Sequence, residues 1–362
     1  IWYPESRTLN ATFVLFRKSF RLDSAPASCP AWVSGNSRYQ LFVNGSFVQR
    51  GPAPCDPRHW DVDPADLAPW LRAGSNAIAA LVCFFGNGDG TWVPSAPVGS
   101  GEGQGFLFQC DPLGLVTDES WKTLRPRCWK HGAPARWFLR ALQEEFDARL
   151  EPEGWREAGF DDSAWKPAMA SRVPPGRPNL GELGPGGWQP DWRLTPREIP
   201  PLIERAALPE KLGAVGHIRW KTQPEEYFEC FSADAFSERE DAAAASPAKS
   251  GLFPVAVRPP GAGEAAAVTF EFDRELVGHP FLEVRAPEGA VIEMLWVEKQ
   301  APGKLLLRGR PKFGQWLRVT CRAGVTAYEA FEYEALRLLQ LHIRNARGPV
   351  EILRCGVKQR EY

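Results

Sequence analysis

Neither sign of charge dominates this chain: 43 Lys and Arg against 44 Asp and Glu leave a net charge of −1. No basic stripe and no Lys/Arg cluster is present, so neither nucleic acid nor a membrane surface is expected as a partner. No apolar run approaches the 18 residues of a membrane-spanning helix. The N-terminus shows no signal-peptide pattern, although Ile1 is not a natural start, which leaves room for a removed leader. HExxH, GxSxG, P-loop and GxGxxG patterns are all absent. No fixed-period repeat runs through the chain. None of the eight cysteines forms a CxxC, and their spacing suggests no zinc site. They read as buried thiols of a reducing compartment, with a cytoplasmic location expected and a secreted or periplasmic one kept open.

What is abundant points elsewhere. The chain carries 34 Pro, 33 Gly and 15 Trp among 362 residues, many turns and many aromatics, which suits an all-β protein of short strands. The length allows two or three domains, each with a core of its own. The clearest local signal is SRYQLFVNGSFVQRG at residues 37–51. Tyr39, Leu41 and Val43 alternate with Arg38, Gln40 and Phe42, the period of a strand with one buried face. Asn44-Gly45 suits a type I′ hairpin turn, because both residues tolerate positive φ. Residues 13–22 and 77–85 read as further strands, the second fully buried. Residues 106–110 and 114–117 read as another hairpin. Four prolines in GPAPCDPRHWDVDPADL exclude regular structure there on this reading. Residues 86–105 are a glycine-rich loop, residues 151–169 a turn-rich segment anchored by Trp155, Phe160 and Trp165, and residues 173–201 a linker.

In the second half, strands are expected at residues 266–272, 281–286, 290–298, 314–321, 336–345 and 350–357. Their spacing of about ten residues fits a sandwich. Residues 238–251 read as a surface loop or a fragment of helix.

Chemistry is harder to place. Glycoside cleavage needs a carboxylic acid and a carboxylate. The adjacent pairs Asp161-Asp162, Glu144-Glu145 and Glu225-Glu226 are poor geometry for it, since neighbours on a strand point to opposite faces. Asp161-Asp162-Ser163 reads instead as a turn or helix start. Two loops, Asp56/Asp61/Asp63/Asp66 and residues 87–90 with Asp89, carry the hard oxygens that calcium takes, though solvated turns share that composition. No cofactor is expected on this reading, and calcium, on Asp56 and Asp89, is the alternative kept open. Sugars lay C–H faces on indole rings and direct hydroxyls to polar side chains. Arg58, His59, Trp60 and Trp92 are accordingly the candidate carbohydrate contacts, against the ordinary fate of Trp as core.

At SRYQLFVNG, RGPAPCDPRHW, DLAPWLRAGSNAIAALV, TDESWK, FDARLEPEGW and FDDSAW the chain resembles the N-terminal part of bacterial α-L-rhamnosidases of glycoside hydrolase family 78. The later stretch FEFDRELVGHPFLEVRAPEGAVIEMLWVE resembles the sandwich that follows in those enzymes. The resemblance implies two antiparallel β-sandwiches in tandem, jelly-roll and galactose-binding-like, over residues 1–198 and 199–362. It implies an extended 146–149, where propensity favours helix. Family members continue into an (α/α)6 barrel that carries the acidic catalytic residues, and this chain stops near where that barrel would begin. No catalytic residue is carried over. Three roles follow: a non-catalytic accessory region of an enzyme that hydrolyses terminal α-L-rhamnosides with inversion, an autonomous carbohydrate-binding module, or an oligomerisation scaffold. The partners implied are the catalytic barrel and rhamnose-containing glycans.

Overall fold

The computed structural model describes residues 1–4, 11–53, 59–85, 104–132, 144–170, 193–220, 236–299, 305 and 316–361. Their regular structure is almost entirely strand, with only short 3-10 turns besides. In chain order these begin with β1 (Thr12–Leu22), β2 (Pro30–Asn36), β3 (Arg38–Val43), β4 (Ser46–Gly51), β5 (His59–Asp66) and β6 (Gly74–Phe84). Then come β7 (Gly105–Cys110), β8 (Leu115–Val116), β9 (Lys122–Leu124), β10 (Glu145–Asp147), β11 (Lys166–Pro167) and β12 (Arg193–Pro196). The second half holds β13 (Ile203–Ala207), β14 (Lys211–Trp220), β15 (Phe236–Glu240), β16 (Ala245–Pro247), β17 (Val255–Val257) and β18 (Glu264–Ala286). It ends with β19 (Val291–Val297), β20 (Trp316–Thr320), β21 (Gly324–Glu329), β22 (Glu334–Arg344) and β23 (Val350–Glu361). The chain divides into two compact units: residues 1–126, 131–140 and 152–200, and residues 127–130, 141–151 and 201–362. Residues 127–130 and 141–151 thus belong to the second unit although they precede the boundary read from the sequence. The cause is β10, which pairs in parallel with β20.

The first unit is a β-sandwich. One sheet has the order β11-β9-β1-β6-β3-β4, the other β12-β5-β2-β7-β8. Period-2 alternation sends Val14 and Phe16, Tyr39 and Leu41, Val82 and Phe84 inward from the first sheet, and Ala31, Val33, Phe106 and Phe108 inward from the second. Phe16 and Phe106 meet across the core at 5.1 Å between ring centres, and Trp121 closes on Phe106 at 5.6 Å. The hairpin is as expected: Asn44 and Gly45 have φ of 51° and 87°. The asparagine does more than turn the chain. Its Nδ2 donates to Trp70 O and Asn76 Oδ1, both at 2.8 Å, and its Oδ1 accepts from Ala77 N. The hairpin is therefore tied to the start of β6.

The outward face of the first sheet is itself covered. Arg17, in mid-β1, is fully buried there. Its Nε donates to Asp162 Oδ2 at 2.9 Å, and its Nη1 to Trp155 O and to Glu157 O. The turn-rich segment is thus a layer pinned by one guanidinium. Asp161 accepts from Ser163 N, the turn expected of that acidic pair.

Two readings need correction. Residues 59–66 form β5 despite their proline. Only one strand flanks Pro64, as at a sheet edge, which is where proline is tolerated. β12, within the supposed linker, pairs with residues 59–62 of β5; the remainder of that linker through 192, and the glycine-rich residues 86–103, lie outside the described residues.

In the second unit the strands expected at 266–272 and 281–286 are one, β18, of 23 residues. Its first half lies between β14 and β22, its second between β21 and β23, with a register shift between Glu271 and Leu276. This is one sheet of its own: β22, β19, β20 and β10 extend it on one side of β18, and β23, which carries β13 and β17, extends it on the other. Residues 238–251 hold the end of β15, a 3-10 turn (Ala242–Ala244), which is the fragment of helix expected, and then β16 and a turn. Within 146–149, Phe146 and Asp147 are extended in β10, and Asp147 then accepts from Arg149 N to start the 3-10 turn Ala148–Leu150.

Candidate functional site

β5 is the strand on which sequence reasoning placed its site. Alternation puts Asp61, Asp63 and Ala65 on the face that meets the core, because Asp63 lies in register with Val33. Asp63 is accordingly a buried carboxylate, 2% exposed. Tyr39 of the opposite sheet donates its hydroxyl to Asp63 Oδ2 at 2.6 Å, and Gln49 Nε2 donates to the same hydroxyl oxygen at 2.8 Å. Arg197 Nη1, just beyond β12, donates to Asp63 Oδ1 at 3.2 Å. Burial raises the pKa of Asp63 above the usual carboxylate value, against the opposing pull of Tyr39 and Arg197. Asp61 is raised too, again by burial. A side chain on Gly51 would overlap Asp63 Oδ2 and the Tyr39 ring, so this close approach requires glycine.

Of the four acidic residues read as a calcium loop, the three described ones do not converge. Asp61 and Asp63 face the core, while Asp66, on the other face, accepts from Cys29 N and Ala68 N. Among the described residues no group of three or more His, Cys, Asp or Glu side chains could hold a metal ion. Asp56, Arg58, Asp89 and Trp92 lie outside the described residues. His59 and Trp60 open β5 with their backbones paired to Arg193 and Leu194.

The second unit holds a matching group. Glu144, 3% exposed, accepts from Phe331 N at 2.9 Å, from Glu332 N at 3.3 Å and from the Tyr328 hydroxyl. Burial lifts its pKa to about 7, and the three donors only moderate the rise. Glu145 turns the other way, toward Lys130 at 2.7 Å and Arg318 at 3.4 Å. The adjacent pair diverges, as the alternation of a strand requires. Glu293, fully buried, receives Arg318 Nε at 3.1 Å and Arg344 Nε at 2.9 Å on one oxygen. These carboxylates are held by the chain's own donors. That arrangement stiffens a fold.

Sequence reasoning missed one exposed aromatic. Trp32 of β2 is 38% exposed on the outward face of the five-stranded sheet, in register with Pro64 and Gln109. Val116 and Leu194 stand on the same face, 50% and 53% exposed. The signal was available: in PAWVSGN, Trp32 occupies the alternation opposite to buried Ala31 and Val33.

Residues 24–180 match the family model of the α-L-rhamnosidase N-terminal domain. An α-L-rhamnosidase of Streptomyces avermitilis is 24% identical over 176 residues, which are 47% of this chain and 14% of that protein. The crystal structure of the family GH78 rhamnosidase of Bacillus sp. GL1 superposes with a TM-score of 0.78 at 17% identity, over 99% of this chain and 54% of that one. The α-L-rhamnosidase of Aspergillus terreus gives 0.59 at 18% identity, over 98% of this chain and 35% of its own. The fold is therefore shared with these rhamnosidases, and the chain spans about half, or less, of each of the three.

Proposed function

We propose, from a chain whose residues 24–180 are an α-L-rhamnosidase N-terminal domain within an N-terminal GH78 region, that it is the non-catalytic accessory part of an enzyme acting on terminal α-L-rhamnosides. Its two units support a separate (α/α)6 catalytic domain. One observation carries this reading: Asp63, Glu144, Glu293 and Asp162 are each bonded to donors of the chain itself. The test is turnover of an aryl α-L-rhamnoside. The chain alone gives none, and a protein that adds the catalytic domain does; hydrolysis by the rigorously purified chain overturns the proposal. The six described cysteines are buried free thiols, which supports a cytoplasmic location.

A second reading, carbohydrate binding, is favoured by Trp32. An indole exposed on a sheet face, beside Gln109, has the make-up of a sugar platform. One stacked ring with a few hydrogen bonds gives roughly millimolar affinity. Calorimetric titration of L-rhamnose into the chain, with calcium and with chelator, checks both this surface and the calcium proposed for Asp56 and Asp89. Heat that is lost in Trp32→Ala places the sugar on this face; heat that needs calcium places it on those loops; no heat at high millimolar sugar removes the reading.

A further inference from the structure

The sulfur atoms of Cys29 and Cys110 lie 3.4 Å apart in the core of the first unit, 81 residues apart in sequence. We propose that they are a modification site: in an oxidising environment Cys29 and Cys110 join as a disulfide that staples the end of the five-stranded sheet.

The geometry comes from the register of β2 and β7. Trp32 pairs with Gln109 and Val33 with Phe108. Continued by one residue, that register sets Ala31 beside Cys110, so Cys29 is its diagonal neighbour on the same inward face. Diagonal positions on antiparallel strands lie about 7–8 Å apart, and at this end of the sheet the two short side chains nonetheless meet. Bond formation asks the sulfurs to close by about 1.4 Å, to the usual 2.05 Å. The backbone on one side is already fixed for it. Cys29 N donates to Asp66 Oδ1 at 2.7 Å, and Cys29 O accepts from Leu67 N at 2.9 Å. Each cysteine is fully buried, yet both sequence neighbours of each, Ser28 and Pro30, Gln109 and Asp111, are exposed. The pair sits at strand ends, Cys29 just before β2 begins and Cys110 at the last residue of β7. Burial and the neighbouring thiol push Cys29 up to about 12, so the closed sheet reacts slowly. The bond forms while the sheet end is open, during folding or fraying.

The co-reactant is a small disulfide such as oxidised glutathione. One cysteine thiolate attacks it, forming a mixed disulfide and releasing one glutathione thiol. The second cysteine thiolate attacks the protein sulfur of that mixed disulfide and releases the other. Two protein thiols and one disulfide become one protein disulfide and two thiols, so protons and electrons balance.

The test refolds the full chain from urea with oxidised glutathione, or with reductant, then alkylates free thiols and maps the peptides by mass spectrometry. The expected product is a peptide pair joined through Cys29 and Cys110, absent under reductant. The oxidised chain melts about 5–10 °C above the reduced one, and Cys110→Ser abolishes that difference. Alkylation of both thiols after oxidative refolding overturns the proposal. So does capture of either by glutathione alone or by a different cysteine. The peptide map of the unsubstituted chain reads these outcomes even where the serine variant fails to fold.

Discussion

Asp63 and Glu144 show two ways of keeping a carboxyl group inside a β-sandwich. Both are almost fully buried, and both accept a hydrogen bond from a tyrosine, Tyr39 in one unit and Tyr328 in the other. Burial and the neighbouring carboxyl raise each tyrosine far above its ordinary value. The difference lies in what completes the set. Asp63 has a cation, Arg197, whose own side chain is only 6% exposed. Glu144 has two backbone N–H groups from the Phe331-Glu332 turn and is lifted to about 7. Dipoles satisfy the hydrogen-bonding capacity of a carboxylate without neutralising its charge, so the charge remains costly.

Removing the cation breaks the contrast most severely. Arg197→Met leaves a buried carboxylate uncompensated and costs about 3–5 kcal/mol at pH 8 by urea unfolding. Part of that loss is recovered as pH falls and Asp63 takes up a proton. A loss that is flat with pH would mean that Arg197 acts by packing alone. Glu144→Ala costs about 3 kcal/mol, because two backbone N–H groups and a hydroxyl lose their acceptor.

Glu144→Gln separates charge from hydrogen bonding. The amide oxygen can serve both N–H groups and its nitrogen can donate to Tyr328. In the folded chain Glu144 holds its proton more tightly than in the unfolded one, so its contribution to stability is full below pH 4.5 and is lost as pH rises through about 7. The glutamine variant matches the parent at low pH and exceeds it by roughly 3 kcal/mol or less at pH 8. Equal stability of the two proteins at all pH values would show that the charge is not confined. The smallest effects belong to the hydroxyls. Tyr39→Phe and Tyr328→Phe each cost about 1–2 kcal/mol, and the second moves the Glu144 titration upward, readable as a shifted pH–stability midpoint.

Much of the architecture is legible in the chain. The Asn44-Gly45 turn, the alternation around it and the buried apolar run of β6 are local patterns, and each became the element it suggested. What escaped depends on partners far away. β5 is a strand because β2 and β12 flank it, and β12 lies about 130 residues further on. Asp63 looks like a solvated loop residue until Tyr39 and Arg197 are in place around it. The divergence of Glu144 from Glu145 is legible in the sequence, but the burial of Glu144 is not, because Tyr328, Phe331 and Glu332 lie far along the chain. β18 looks like two strands because the polar stretch around Asp273 and Arg274 resembles a turn, while its backbone stays extended through the register shift. The sugar and calcium residues read from Asp56, Arg58, Asp89 and Trp92 are a matter for titration.

The length of β18 has a consequence for cooperativity. Its backbone is laddered to β14 and β22 along one half and to β21 and β23 along the other. Opening either half frays a strand that the other half still uses. The second unit cannot shed one layer and keep its neighbour, so its slowest-exchanging amides should open together, in one event, on both sides of the Glu271–Leu276 shift.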